Sequence, residues 1–318
     1  LVSLQCNLKP NPSPASPLMS DSFALLPIIE RIFATVFPLF AMVMVGFLYA
    51  RKTDSDMGVA NRINIDIFVP ALIFSVMASK SFDLFSYLDL MLGTLLMVIG
   101  SGLLALPVCK WLGVSPKIFA PPTMFNNCGN LGLPLALLAF GEAGLSAAIA
   151  MFLVSTLLHF SLGVYILHDK AQLSTLATNP MVMATAAGLV WSLSGWTLPV
   201  WVSTPIDMLG QISIPLMLFA LGVRMTDVDF ADWRSGLFWG LYGPLTGFMV
   251  AYPFALLAGL SGEHTAYFVL FSVLPPAVLN FMLAERYKQA PHTVASIVLL
   301  GNIASLVVVP VALFFVLD

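Results

Sequence analysis

Three asparagines within five residues of a nearly apolar stretch are the first feature of this chain that suggests chemistry. The stretch reads Ala120-Pro-Pro-Thr-Met-Phe-Asn126-Asn127-Cys-Gly129-Asn130-Leu-Gly132-Leu-Pro134-Leu. It makes a poor continuous helix. Pro134 has no N–H to donate, and its ring clashes with the carbonyl of Asn130, while Gly129 and Gly132 lower the cost of unwinding. An asparagine amide both donates and accepts, so this cluster can serve freed backbone groups and a polar solute alike. A second stretch, Leu274-Pro275-Pro276-Ala-Val-Leu-Asn280, supplies a matching break. The half-helix that begins after each break would point its positive N-terminal end at the gap, which favours an anion. One asparagine alone reads as glue between helices. The cluster together with the second break predicts a site formed by Asn126, Asn127, Asn130 and Asn280, bounded by Pro134 and Pro275.

Other polar residues in apolar surroundings are fewer. Asp66 falls about two turns inside an apolar segment, where burying a carboxylate is costly. It can carry a proton, hold a substrate hydroxyl or bind a crossover asparagine, or it can be an interfacial carboxylate that reaches water. Gln211 occupies the matching place 145 residues later. His159 can shuttle protons or act as an interhelical hydrogen bonder, and Asn302 carries the same two readings. The three cysteines, Cys6, Cys109 and Cys128, lie too far apart in sequence to suggest a disulfide framework or a metal site. The chain shows no phosphate-binding loop, nucleophile elbow or zinc motif, so no cofactor is expected and catalysis is not.

The elements that must position these residues follow from composition. Of 318 residues, 59% are hydrophobic and only 9% are charged, against roughly 25% charged in soluble domains. A soluble enzyme is excluded, and a net charge of -3 without a basic block leaves nothing for nucleic acid. At about 20 apolar residues per crossing, ten segments emerge: Phe23–Tyr49, Val59–Ala78, Leu88–Val108, Ile118–Gly141, Gly144–Leu167, Pro180–Leu198, Val202–Val223, Gly236–Leu260, Thr265–Ala284 and Thr293–Leu317. Residues 1–22 read as a disordered tail, with Met19 a candidate start. Placing the N-terminus outside puts Lys9, Arg31 and Lys80 outside and the other ten of the 13 basic residues on the cytoplasmic side. The positive-inside rule then predicts a multi-pass cell-membrane protein with both termini non-cytoplasmic.

Ten segments also accommodate a duplication. Ile67-Phe-Val-Pro70-Ala-Leu-Ile-Phe74 in the second parallels Ile212-Ser-Ile-Pro215-Leu-Met-Leu-Phe219 in the seventh, and Pro134 parallels Asn280 at nearly the same offset. Five segments per half is an odd number, so the halves, 23–170 and 171–318, would be inverted, a layout of many secondary transporters. The expected fold is an all-α polytopic bundle of ten transmembrane helices in two inverted five-helix repeats, with helices 4 and 9 broken. Gly236, Gly240, Gly243 and Gly247 form a small-residue run suited to close packing, within the chain or at a dimer face.

The stretch Asn126-Asn-Cys-Gly-Asn-Leu-Gly-Leu-Pro-Leu-Ala-Leu with Ala139-Phe-Gly resembles the auxin efflux carrier family of membrane permeases. So do Phe68-Val-Pro-Ala-Leu-Ile-Phe, Ile214-Pro-Leu-Met-Leu-Phe-Ala-Leu-Gly222 and Pro275-Pro-Ala-Val-Leu-Asn-Phe-Met-Leu-Ala-Glu-Arg-Tyr287. The resemblance covers Phe23 to Leu317. It implies a scaffold bundle and a transport bundle, crossing breaks in segments 4 and 9, a segment 2 carboxylate (Asp66 here) near the site, and organic anions such as auxin, malonate or malate as cargo. Two departures stand out: the plant carriers have proline at both crossings where this chain has Asn280 in the second, and they have a long central loop that is absent here. Both make it similar to the small bacterial members. The expected function is secondary-active or facilitative transport of a small organic anion by alternating access. The alternatives are a sodium-coupled symporter of the bile-acid type and a membrane sensor that binds without transporting.

Overall fold

A computed structural model describes residues 17–53, 57–79, 83–168, 178–226 and 232–317. Eleven helical stretches account for most of them: α1 Pro17–Ala50, α2 Gly58–Ala78, α3 Leu88–Leu112, α4 Pro116–Met124, α5 Cys128–Leu167, α6 Pro180–Ser194, α7 Val200–Arg224, α8 Trp233–Ala258, α9 Gly262–Ser272, α10 Val278–Arg286 and α11 Pro291–Val316. Among the described residues, seven helices are long and apolar enough to cross a membrane. With backbone hydrogen bonds closed inside each helix, such segments can sit in hydrocarbon without exposing polar groups.

The ten sequence segments map onto these helices with instructive differences. The first begins at Pro17 rather than Phe23, proline being well suited to an opening turn. The first sixteen residues of the expected tail lie outside the described residues. The fourth segment is α4 plus the first part of α5, and the ninth is α9 plus α10, each pair separated by a break. The rest of α5 is the fifth segment. Its two parts meet at Gly141, whose φ of +69° and ψ of −156° fall where only glycine sits at ease. The sixth segment is shorter than expected. Its 15 residues span about 22 Å at 1.5 Å per residue, and Gly195, in the left-handed conformation at φ 68°, ends the helix before Leu198.

The helices pack in two groups. In one, α1 lies on α7, α7 on α2 and α2 on α6. In the other, α8 packs against α11, α3 and α4, and the broken segments are enclosed among them. Close approach within the first group depends on glycine. A Cβ on Gly46 of α1 would overlap the Phe219 carbonyl of α7, and one on Gly222 of α7 would overlap the Val43 carbonyl of α1. The Ser75 hydroxyl, on α2, donates to the Asp207 carboxylate of α7.

The glycine run of α8 faces inward, so its packing is within the chain. A Cβ on Gly236 would meet Ser296 and Leu300, one on Gly240 the backbone of Gly301 at 2.8 Å, and one on Gly247 would overlap the Ser272 carbonyl. Gly301 in turn lies against the Pro276 ring, 2.6 Å from its Cδ for a notional Cβ. The run thereby seats α11 and the second break directly on α8.

Candidate functional site

The two breaks lie side by side and complete each other's hydrogen bonding. Pro121 and Pro122 remove two backbone donors near the end of α4, and the chain leaves the helix at Phe125 with extended backbone (φ −109°, ψ 105°). Pro275 and Pro276 do the same between α9 and α10. The extended residues then pair antiparallel, Asn126 opposite Pro276. Asn127 N–H donates to the Pro275 carbonyl at 2.6 Å, and Ala277 N–H to the Phe125 carbonyl at 2.9 Å. The two bonds are reciprocal: exchanging residues 150 positions apart (127 with 277, 125 with 275) turns one bond into the other. Counted from this pairing, Asn280 corresponds to Asn130 rather than to Pro134. Pro134 does not form the break. It is buried near the start of the regular helix, directly after a wide i→i+5 turn at Cys128–Gly132 that absorbs its missing donor.

Side-chain amides brace the crossing. Asn126 Nδ2 donates to the Phe271 carbonyl at 2.6 Å and Asn280 Nδ2 to that of Phe125 at 2.9 Å. Asn127 Nδ2 donates to Asn302 Oδ1 at 2.8 Å, while Asn302 Nδ2 reaches the carbonyls of Pro276 at 3.1 Å and Val298 at 2.7 Å. Four buried asparagines thus replace bonds that an unbroken helix would have made within itself. Leaving such groups unpaired costs about 1–3 kcal/mol each.

A cavity of about 140 Å³ opens beside the crossing, between the two helix groups. Asn126, Asn127 and Asn130 line it, with Cys128 and Gly129 between them. The first turns of α5 and α10 are both in its wall, the latter through Ala277, Val278 and Leu279. Asn280 is not. It is 2% exposed and stands behind the wall as a brace. Asn302 likewise braces from behind and faces a neighbouring cavity instead. Gly132, Leu274 and the rings of Phe140 and Tyr267, 4.8 Å apart, close the other side of the crossing, around a residual space of about 10 Å³.

Two other wide turns, Asn64–Phe68 in α2 and His159–Gly163 in α5, each contribute one polar wall residue, Asn64 and His159. Such turns widen the helix by one residue and recur at functional sites. Asn61 and Asn64 project from α2 into the cavity. Asp66, two residues on, is exposed and outside the wall, and so is Gln211 on α7; a step of two residues turns a side chain to the far face of a helix. His159 lines the cavity, its ring stacked on Phe125 at 4.1 Å and nearly parallel, with Nε2 unpartnered. Asn64 Oδ1 and Asn126 Oδ1 are also buried without a partner. Arg224, the last residue of α7, completes the wall, as do Ser155 and Thr156.

Asn61, Asn64 and Arg224 are wall residues that the sequence analysis does not assign to the site. For the first two a signal exists, since i, i+3 spacing puts both on one helix face. Arg224 carries none, because in sequence it reads as an ordinary cytoplasmic loop charge.

Residues 170–313 match the family described as "Membrane transport protein". Full-length relatives are also similar. An uncharacterized transporter of Methanocaldococcus jannaschii is 24% identical over 84% of this chain and 93% of its own. A Rhizobium meliloti protein named "Putative malonate transporter" is 24% identical over 91% of this chain and 97% of its own. "Auxin efflux carrier component 6" of Arabidopsis thaliana is 29% identical over 41% of this chain and 24% of its own. With its long apolar helices and transporter relatives, the chain is a multi-pass membrane protein.

Proposed function

We propose that this chain, whose residues 170–313 match the membrane transport protein family, belongs to that family and moves a small organic anion across the membrane by alternating access. The observation that carries the reading is the reciprocal pairing of two helix breaks beside a polar cavity, with the N-terminal turns of α5 and α10 both in its wall. Two positive helix ends converging on one place favour an anion there. Irregular backbone at membrane depth is tolerated where protein or a water-filled cavity satisfies it, and here backbone and asparagine groups of the opposite break do so.

The packing supports movement of one helix group against the other. The cavity lies between the groups, reached from the side that carries Asn61, Met181, Arg224 and Met282. On the 10-to-3 division of basic residues that side is cytoplasmic, with both termini on the opposite one. The opposite approach is closed by apolar side chains. Rocking of the group holding the breaks would open that seal and close the cavity, which is the alternating-access scheme of inverted-repeat carriers. The reciprocal bonds at the crossing are the local symmetry such a repeat requires, and they favour ten segments in two inverted halves.

Uptake of radiolabelled carboxylates into proteoliposomes, with and without sodium, tests this reading. Saturable, protein-dependent uptake of a small carboxylate is the expected result. Binding of a carboxylate without any flux would replace the carrier with a sensor.

A further inference from the structure

Phe40, Val43, Met44, Phe47 and Arg51 follow one another at helical spacing, so they form a stripe along α1 and the turn that follows it. The stripe lines a crevice of about 510 Å³. Ile303 and Leu306 of α11 line it from the other helix group, which places the crevice in the seam between the two groups. Apart from Arg51 and Thr226, the wall is hydrocarbon and thioether, and the Thr226 hydroxyl already donates to the Val223 carbonyl at 2.7 Å. Met44 and Leu306 are 53% and 42% exposed, so the crevice opens on the flank of the bundle, toward lipid. Apolar cavities do not hold water, and an empty one forfeits the packing contacts of its lining. The filler that a bilayer supplies is an acyl chain.

The dimensions and the charge agree with that filler. The 11 residues from Phe40 to Arg51 rise about 16 Å at 1.5 Å each, and one leaflet is half of a hydrocarbon core of about 30 Å. The apolar end therefore reaches about the midplane when Arg51 is at head-group level. The Arg51 guanidinium carbon is 5.7 Å from the Phe47 ring centroid, which keeps the charge over the stripe. We propose that this crevice binds one glycerophospholipid, with an acyl chain along the stripe and its phosphate on Arg51. A guanidinium matches phosphate oxygens in pairs, and basic pockets between transmembrane helices take lipid head groups. Phosphate is common to glycerophospholipids of every head group, so the contact does not depend on the net charge of a loop in which Asp54 and Asp56 follow Arg51 and Lys52. The site needs a membrane-spanning chain and is independent of what the chain carries.

The test uses the purified full-length chain in detergent. Native mass spectrometry should show one phospholipid retained per chain. Added dioleoylphosphatidylglycerol should raise the melting temperature by about 5 °C at a hundredfold excess over its Kd. Glycerol phosphate, which lacks the chains, should give no shift. Dioleoylglycerol, which lacks the phosphate, should bind at least tenfold more weakly, the worth of a charge-assisted bond. Arg51→Gln, at an exposed position, should weaken phospholipid binding roughly 10- to 100-fold and leave the lipid-free melting temperature unchanged. Met44→Trp fills the crevice from its exposed rim and should abolish retention. Equal binding of phospholipid and dioleoylglycerol by the wild type, or equal shifts in the wild type and both variants, is general solvation by lipid and overturns the site. A shift by glycerol phosphate alone makes it a phosphate site instead, and a dimer that Met44→Trp dissociates gives the crevice to a second copy of the chain; either result overturns the proposal.

Discussion

Replacing Asn302 with alanine isolates what the braces of the crossing contribute. Asn302 accepts from Asn127 Nδ2 at 2.8 Å and donates to the Pro276 carbonyl at 3.1 Å. Its third bond, to the Val298 carbonyl one turn back, competes with a helical bond that remains after substitution, so its loss costs little. Two bonds across the crossing are therefore at stake. Interhelical hydrogen bonds in membranes average about 0.6 kcal/mol with a maximum of about 1.7, which gives roughly 1–3 kcal/mol in all. At about 2 °C per kcal/mol for a chain of this size, the melting temperature of the purified protein should fall by about 2–6 °C. A double-mutant cycle with Asn127→Ala isolates the direct bond. Melting of wild type, both single variants and the double variant should give a coupling of about 0.6–1.7 kcal/mol. Strict additivity, within about 0.3 kcal/mol, would refute the assignment of Asn302 as the partner that holds the first break.

Three further outcomes follow from contacts at the same crossing. Gly247→Ala should destabilise by about 1–3 kcal/mol, because its Cβ would overlap the Ser272 backbone, whereas Gly243→Ala, with nothing nearer than 3.4 Å, should melt within about 1 °C of wild type. His159→Phe keeps the stack on Phe125 and removes a buried nitrogen without a partner, so the protein should melt at or above the wild-type temperature while carboxylate uptake falls. Asp66→Asn should leave the substrate KM unchanged because Asp66 is exposed outside the wall, while Asn64→Ala, from the same turn, should raise it; equal effects of the two would contradict this placement of α2.

How far a feature is legible in the sequence depends on how local its cause is. The prolines of both breaks act within a turn of themselves, so the broken segments and the asparagine cluster are visible from the residues alone. Pro134 reads as the breaking residue because its ring forbids a regular bond to Asn130. In the folded chain the wide turn at Cys128–Gly132 takes up that defect, and the break falls earlier in the chain, behind Pro121 and Pro122. The pairing of Asn126 with Pro276 joins residues 150 positions apart and leaves no local trace. The same holds for the separation of the asparagines into wall and brace: Asn130 and Asn280 occupy matching places relative to the paired breaks, yet only Asn130 lines the cavity. Wide turns also change which face a helix residue occupies, which is why Asn64, rather than Asp66, projects inward. Arg224 is legible as a charge and not as a wall residue, since its position depends on how α7 meets α10.

Cys128 allows the most direct test that the cavity beside the paired breaks is the route of the solute. Cys128 is a residue of the cavity wall, whereas Cys109 is buried in α3 away from it. Alkylation of both thiols by a membrane-permeant maleimide, followed by peptide mass spectrometry, can be timed in proteoliposomes with and without a saturating transported carboxylate. Slowing of Cys128 alkylation by the carboxylate, with Cys109 unaffected, is the result expected of a solute that occupies this cavity. Identical Cys128 rates with and without a carboxylate that the protein demonstrably transports would place the route elsewhere.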